Sequence, residues 1–170
     1  MAQSKIPAKW ELGTYQSVPL LFRSVRSLSA ALLLVALVTG CAVNRESASV
    51  TEGEDISQLK SFYVVKFEPD ERGINHLIRD ELVVLGYDAT TGPEAAVPEA
   101  VDAIVTYRDK WQWDITMYMI ELTITLRNPE SDYPLAVGDS FHTSLTRLSP
   151  ESMVKEVLTN IFAEGQATGS

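Results

Sequence analysis

The sequence contains few of the residues that build disulfides, metal centres and basic binding surfaces. Its 170 residues include one cysteine, two histidines and 14 lysines and arginines, against 23 acidic residues. A single cysteine excludes an internal disulfide, and so few histidines and cysteines do not make the ligand cluster of a zinc site. The acidic balance disfavours nucleic acid as a partner, because general electrostatics would repel it.

Catalytic motifs are missing as well. The chain has neither the G-x-S-x-G turn of α/β hydrolases nor the H-E-x-x-H helix of zinc proteases, and no glycine-rich phosphate loop. His76 and His142 lie outside any such motif, and we interpret both as packing or surface residues. Asp109 falls on the apolar face of a predicted strand. Either it is buried beside Arg108 or Lys110 of a neighbouring layer, or it marks the point where the strand leaves the sheet, and we favour the second. We therefore predict no enzyme activity, no metal and no cofactor apart from a covalent lipid.

The lipid is indicated by the N-terminal quarter of the chain. Residues 28–38 read LSAALLLVALV, an uncharged run that follows two arginines and is too short for an ordinary membrane-spanning helix. The run leads into Val-Thr-Gly-Cys at 38–41, which resembles a bacterial lipobox. The resemblance implies that residues 1–40 are a lipoprotein signal peptide, cleaved between Gly40 and Cys41, with a lipid on Cys41.

The predicted lipid places the mature chain at a membrane. Ala42 follows the cysteine, where aspartate is the usual mark for inner-membrane retention in enteric bacteria, so we expect the outer membrane and a domain facing the periplasm. The inner membrane and the cell surface stay open. Residues 1–40 hold four of the basic residues and one acidic residue, so the mature net charge is −12. Membrane contact is then expected from the acyl chains rather than from anionic headgroups.

The first 20 residues fit poorly into a compact signal. Either the signal has a long basic region, or residues 1–20 are a mis-annotated extension and translation starts further in, for example at Val18 or Val25. Residues 41–58 are polar and acidic and are interpreted as a lipidated flexible tether. A periplasmic domain is predicted for residues 59–165, followed by a disordered tail at 166–170.

Hydrophobic periodicity predicts a domain with the element order β-α-β-β-β-α. Alternating apolar residues indicate strands at 61–67, 101–114, 120–127 and 135–145, and three- and four-residue spacings indicate helices at 72–85 and 149–165. The expected fold class is α+β, a two-layer sandwich of a mainly antiparallel sheet of about four strands with two helices on one face. We expect Asp70 to cap the first helix, Gly86 and Gly165 to end the two helices, and Gly138 to mark a bulge or kink.

The stretch from Asp109 to Leu126 changes phase in the middle. Apolar residues take odd positions up to Trp113 and even positions from Ile120 onward. Such a flip requires a turn or a bulge. No Gly, Pro or Asn lies between Asp114 and Tyr118, which disfavours a tight turn. We predict a hairpin with a wider loop, and a single bent strand is the alternative.

Three aromatic residues share the apolar face of the predicted 101–114 strand. They are Tyr107, Trp111 and Trp113, and the two tryptophans are about 7 Å apart along a strand. Two interpretations remain open for this possible recognition face. The rings pack under a helix, or they form an open surface that stacks on a sugar or a peptide, since tryptophan is favoured at binding hot spots.

Several short phrases resemble a broad group of small bacterial envelope lipoproteins, many known only as domains of unknown function. They are Leu85-Gly86-Tyr87, Val101 to Tyr107 and Glu121 to Ile124, within residues 60–163. The β-α-β-β-β-α layout is also similar to that of the lipopolysaccharide-assembly lipoprotein LptE, which binds a partner barrel. The resemblance implies a binding role and brings no catalytic residue with it.

The sequence therefore favours a non-catalytic accessory or assembly factor that binds another cell-envelope component. The alternative is a periplasmic lipoprotein that binds a lipid, glycan or peptide on its tryptophan-lined face. An envelope hydrolase is the least favoured class. A homo-oligomer formed along an exposed strand edge stays open.

Overall fold

Residues 44–168 are described by the computed structural model, and they form six strands and two α-helices. In chain order the elements are β1 (Arg45–Val50), β2 (Ser61–Val65), α1 (Ile74–Val84), β3 (Asp88–Gly92), β4 (Ala103–Asp114), β5 (Thr116–Arg127), β6 (Pro134–Phe141) and α2 (Pro150–Thr168). The strands form one sheet in the order β1-β6-β5-β4-β2-β3. Strand β2 runs parallel to β3 and β4, and the other neighbours are antiparallel.

The predicted sheet of about four mainly antiparallel strands is wrong, because the observed sheet is six-stranded and mixed. The chain still has an α+β fold. The two strands that the sequence did not indicate are the edge strands β1 and β3. Edge strands bury few side chains, so they lack the alternation that reveals inner strands. Strand β1 lies inside the stretch assigned to the tether, and β3 inside a stretch assigned to a loop.

Helix α1 explains the parallel strands, because it carries the chain back across the sheet between β2 and β3. Its start is held by Asp70, as predicted: the carboxylate accepts the backbone N–H of Gly73 at 2.9 Å and of Ile74 at 2.7 Å. Its end is the predicted left-handed cap, with Gly86 at φ 95°. The N–H of Tyr87 donates to the carbonyl of Leu82 at 3.0 Å, which completes a Schellman motif.

Strands β4 and β5 form the predicted hairpin, but its turn is tighter than expected. Asp114 and Thr116 are paired across it, so Ile115 is the only residue between the strands. Its φ of 63° is left-handed backbone, which β-branched residues rarely adopt. A register shift next to Lys110 and Trp111 adds a bulge to the same hairpin.

Both helices cover the same face of the sheet and enclose one hydrophobic core. Its fully buried members include Phe62, Val64, Val105, Leu122, Ile124 and Leu126 from strands and Ile78, Leu82, Val157, Leu158 and Ile161 from helices. Burying such side chains contributes about 1.5–3 kcal/mol each relative to exposure. The core therefore fixes α1 and α2 on this face and leaves the other face without helices.

Two glycines have other roles than those predicted. A Cβ on Gly138 would lie 2.8 Å from Cγ1 of Ile161 and 2.9 Å from Cγ1 of Val157, so this glycine lets α2 pack directly on β6. The irregular pairing of β6 occurs near its start instead, where its register with β5 shifts between Leu126 and Arg127. Gly165 does not end α2, which continues to Thr168 and so includes part of the predicted tail.

The predicted signal peptide, with Gly40, Cys41 and the possible 1–20 extension, lies outside the described residues, as do the last two residues of the chain. Within residues 44–168, neither helix is sufficiently long and apolar to cross a membrane.

Candidate binding surfaces

Tyr107, the first residue of the predicted aromatic face, is buried and has structural partners. Its hydroxyl donates to the carboxylate of Asp70 at 2.7 Å and accepts the N–H of Phe67 at 3.2 Å. Burial and the bond to Asp70 raise the pKa of Tyr107 well above its usual value of 10.0. Burial alone would raise the pKa of Asp70, but hydrogen bonds from Tyr107 and from backbone N–H groups outweigh it and lower that pKa. The pair therefore holds an ionised acid against a neutral phenol and joins β4 to the start of α1.

The two tryptophans differ in exposure although they share one face of β4. Trp111 is half-buried against the core, donates its indole N–H to Asp109 at 2.5 Å, and has the guanidinium of Arg72 4.1 Å from its ring centre. Trp113 is 68% exposed. Tyr107, Trp111 and Trp113 therefore do not form one open platform, because coverage decreases along the strand from the first to the third.

Exposed apolar side chains collect at the tip of the β4–β5 hairpin. Trp113 and Met117 are paired across the strands, and Ile115 lies between them in the turn. Ile115 is 87% exposed and Met117 47%. Leu145, in the loop between β6 and α2, is 85% exposed. We call these four residues the apolar end.

Arg147 ties the loop that carries Leu145 to the hairpin. Its guanidinium donates to the carbonyl of Asp114 at 2.8 Å, to the carboxylate of Asp114 at 3.2 Å and to the hydroxyl of Thr116 at 2.7 Å. The same group lies 4.1 Å from the ring centre of Tyr118. The apolar end is thus held in place by a charged side chain beneath it, and this side chain neutralises the acid nearest the tip.

His142 has a serine and an acid nearby, but the three do not form a catalytic triad. Glu156 accepts the hydroxyl of Ser140 at 2.7 Å, and the same oxygen lies 2.8 Å from Nε2 of His142. In a triad the histidine lies between the serine and the acid, whereas here the acid lies between the other two. Ser140 is completely buried and His142 is 5% exposed, so a substrate has no access.

Two further predictions concern the position of His76 and metal binding. His76 is on the exposed side of α1. Within residues 44–168, no three histidine, cysteine, aspartate or glutamate side chains are grouped as metal ligands.

The uncovered face of the sheet has a shallow groove of about 410 Å³. Thr106, Arg108 and Arg127 contribute to its lining. Both arginines are already engaged: Arg127 donates to the carbonyl of Asp132 at 2.9 Å, and the guanidinium of Arg108 lies 4.2 Å from the ring centre of Phe67. The two arginines of the groove therefore already have partners, and Lys66 is a third basic residue in its lining.

Sequence reasoning missed Ile115, Met117 and Leu145 as surface residues. The signal was present at Ile115, where a β-branched residue occupies a turn that has no glycine, proline or asparagine. We used that absence to argue against a tight turn. The same absence means that, if the turn is tight, an apolar β-branched residue must take a backbone conformation that it disfavours.

No family model matches the chain, and no curated protein does either. Among solved structures, the PelC dodecamer from Paraburkholderia phytofirmans is similar at a TM-score of 0.52 and 12% identity, over 73% of this chain and 98% of the PelC chain. A single-substitution variant of the PelC dodecamer from the same organism is similar at a TM-score of 0.50 and 15% identity, over 69% and 96%. At such identity the likeness shows a shared fold and nothing of function.

Proposed function

We propose that this chain is a lipid-anchored accessory or assembly factor of the cell envelope that acts by binding and catalyses no reaction. The lipid on Cys41 holds it to the outer membrane with the folded domain in the periplasm. The lipobox-like residues at 38–41 support the anchor. The closed arrangement of Ser140, His142 and Glu156 argues against hydrolysis, since the serine is inaccessible.

The observation that carries the binding role is the sheet face that the helices leave uncovered. Helices α1 and α2 cover one face of the six-stranded sheet. The opposite face carries half-buried residues such as Thr106, which lines the groove, and Thr125, its partner on β5. Further copies of the chain are the first partners that we propose. The fold-similar PelC is a dodecamer, and both edges of the present sheet offer unpaired backbone.

Ligand binding by Trp111 and Trp113 has less support than protein binding. The ring of Trp111 is covered by Arg72, and Tyr107 is buried in the core. Of the three aromatic side chains predicted to form a recognition face, Trp113 is the one whose ring is open to a sugar or a peptide.

Photo-crosslinking in intact cells tests the proposal. A crosslinking residue at Thr125 lies on the uncovered face, and one at Lys155 lies on the exposed side of α2 and serves as the matched control. We expect covalent dimers and higher multiples of the chain from position 125 and little product from position 155. If the only adducts contain a different envelope protein, the accessory role is supported and self-assembly is rejected. Monomers alone from both positions would contradict the proposal.

Localisation tests the anchor separately. Cys41→Ala should move the chain out of the outer-membrane fraction, because no other residue can receive the lipid. An unchanged distribution would show that the lipobox interpretation is wrong.

A further inference from the structure

The apolar end has a composition and a position that the fold itself does not require. Trp113, Ile115, Met117 and Leu145 are all large apolar side chains, each about half exposed or more. Single exposed apolar residues are ordinary on a protein surface, but a group at one tip marks an interaction surface. Ile115 adds a second cost, because a β-branched residue at φ 63° is strained. Stability of the folded domain therefore does not explain this residue at this turn.

The N-terminus of the folded domain lies at the same end. Asn44 accepts a hydrogen bond from the hydroxyl of Thr146, which stands between Leu145 and Arg147. Arg147 in turn binds Asp114 and Thr116 at the hairpin turn. A continuous set of contacts thus connects the first described residue of the chain to the apolar end.

The chain length between the lipid and this end is short. Three peptide units separate Cys41 from Asn44, which span at most about 11 Å when fully extended. A lipid on Cys41 would therefore keep Asn44 close to the headgroups of the bilayer. The same restriction applies to Leu145 and to the hairpin tip through the contacts of Thr146 and Arg147.

Charge also distinguishes this end from the rest of a strongly acidic chain. Between residues 111 and 119 the one acid is Asp114, and residues 142–149 contain none. Arg147 neutralises Asp114 at 3.2 Å. The apolar end can thus approach anionic headgroups without the repulsion that the mature net charge would otherwise impose.

We propose that the apolar end inserts into the interfacial layer of the bilayer that holds the Cys41 lipid, so that the domain is attached at two points in one orientation. Tryptophan suits the headgroup level, because its ring is apolar and its indole N–H is polar. Ile115, Met117 and Leu145 enter the acyl boundary beside it. The uncovered sheet face then points along the membrane plane, towards neighbouring copies. The inference rests on the lipid anchor of the proposed function.

Depth-dependent quenching of single tryptophans tests this orientation. The processed chain has two tryptophans, Trp111 and Trp113, because Trp10 lies in the predicted signal. We would purify the full lipidated chain with Trp111→Phe and reconstitute it in phosphatidylethanolamine–phosphatidylglycerol vesicles with and without brominated acyl chains. We expect the brominated vesicles to quench Trp113 and to shift its emission to shorter wavelength.

Two variants control the measurement. A Trp111→Phe, Trp113→Phe, Val84→Trp chain places the reporter on an exposed residue at the C-terminal end of α1, at the other end of the sheet, and should not be quenched. Ile115→Asp in the Trp111→Phe chain adds an unpaired acid to the tip and should reduce the quenching of Trp113 while the lipid still holds the chain on the vesicles.

The outcomes separate this inference from the anchor. If the lipidated chain floats with the vesicles but Trp113 is not quenched, the orientation is wrong and the anchor stands. Equal quenching of Trp113 and of the tryptophan at position 84 would also overturn it, since the domain would lie on the membrane without a fixed end. If the purified chain carries no lipid, the proposed anchor fails. Quenching of Trp113 on vesicle addition would then still support the apolar end, and its absence would reject it.

Discussion

Tyr107 and Asp70 are joined by a 2.7 Å hydrogen bond across 37 residues of chain. The carboxylate also accepts the backbone N–H groups of Arg72 at 2.7 Å and Ile74 at 2.7 Å. One buried acid thus connects a central strand to the first turn of α1. Helix α1 connects β2 to β3, so a bond that fixes the start of α1 against β4 also helps to position β3 in the sheet.

We expect Tyr107→Phe to lower the free energy of unfolding by about 1.5–3 kcal/mol, because it removes a buried hydrogen bond to a charged group and keeps the ring. Urea titration followed by circular dichroism measures the change. Tyr63→Phe is the matched control, since its hydroxyl donates to the neutral carbonyl of Pro93 at 3.0 Å. It should cost only about 1 kcal/mol. Equal losses in the two variants would contradict the special role of Asp70.

The lowered pKa of Asp70 predicts a pH dependence with a definite sign. Its folded pKa lies below the ordinary value of 3.8, so its contribution to stability is complete above 3.8 and is lost as pH falls through the folded pKa. Asp70→Asn removes that contribution and should destabilise the domain at neutral pH. Urea midpoints of the wild type and the variant should therefore converge as the solution becomes more acidic. A difference that stays constant or grows with acid would refute the assignment.

Gly138→Ala should destabilise the domain by about 1–3 kcal/mol, because the added methyl group meets α2. The nearest atoms are Cγ1 of Ile161 at 2.8 Å and Cγ1 of Val157 at 2.9 Å. Thermal unfolding of the single variants and of Gly138→Ala with Val157→Ala forms a double-mutant cycle. The double variant should lose less than the sum of the two single losses, because Val157→Ala removes one of the contacts. Strict additivity would mean that the backbone, and not α2, limits this position.

Ile115→Asn should raise the stability of the domain by about 1 kcal/mol, since asparagine tolerates left-handed backbone better than a β-branched residue. The melting temperature in detergent, away from a bilayer, measures this gain. Leu145→Asn is the control, because it makes the same apolar-to-polar change at an exposed residue whose φ is not positive, and it should have little effect. A melting temperature that is unchanged or lower for Ile115→Asn would show that the turn is not strained.

The sequence predicted those elements in which buried and exposed side chains recur with the period of a strand or a helix. Strand β4 was evident because its odd positions are apolar up to Tyr107 and beyond, and α1 because Asp70 and Gly86 mark its ends. Strand β1 reads RESASV and β3 reads DATTG. In β1 only Ala48 and Val50 pack against the core, and in β3 only Ala89 is buried, so the apolar pattern is too short to predict a strand. The backbone pairing that makes them strands depends on β6 and β2, which are distant in sequence.

The exposure of the candidate surface could not be predicted either, because it also depends on tertiary packing. Periodicity placed Trp111 and Trp113 on one face, but how far the covering layer extends along a strand depends on tertiary packing. Arg72 covers Trp111 and leaves Trp113 exposed. The left-handed turn at Ile115 runs against local preference, so rules based on turn residues argue against a tight turn at this position.

Strand β1 also affects the order in which the chain folds. Arg45 pairs with Phe141 and Val50 with Ala136, so the first strand of the domain depends on the last strand, β6. Closing a loop of this length is slow relative to forming the β4–β5 hairpin or the α1 turn. We therefore expect the centre of the sheet to form first and β1 to add last, as an edge that also opens with the smallest free energy. The residues nearest the membrane anchor would then be the last to fold and the first to unfold.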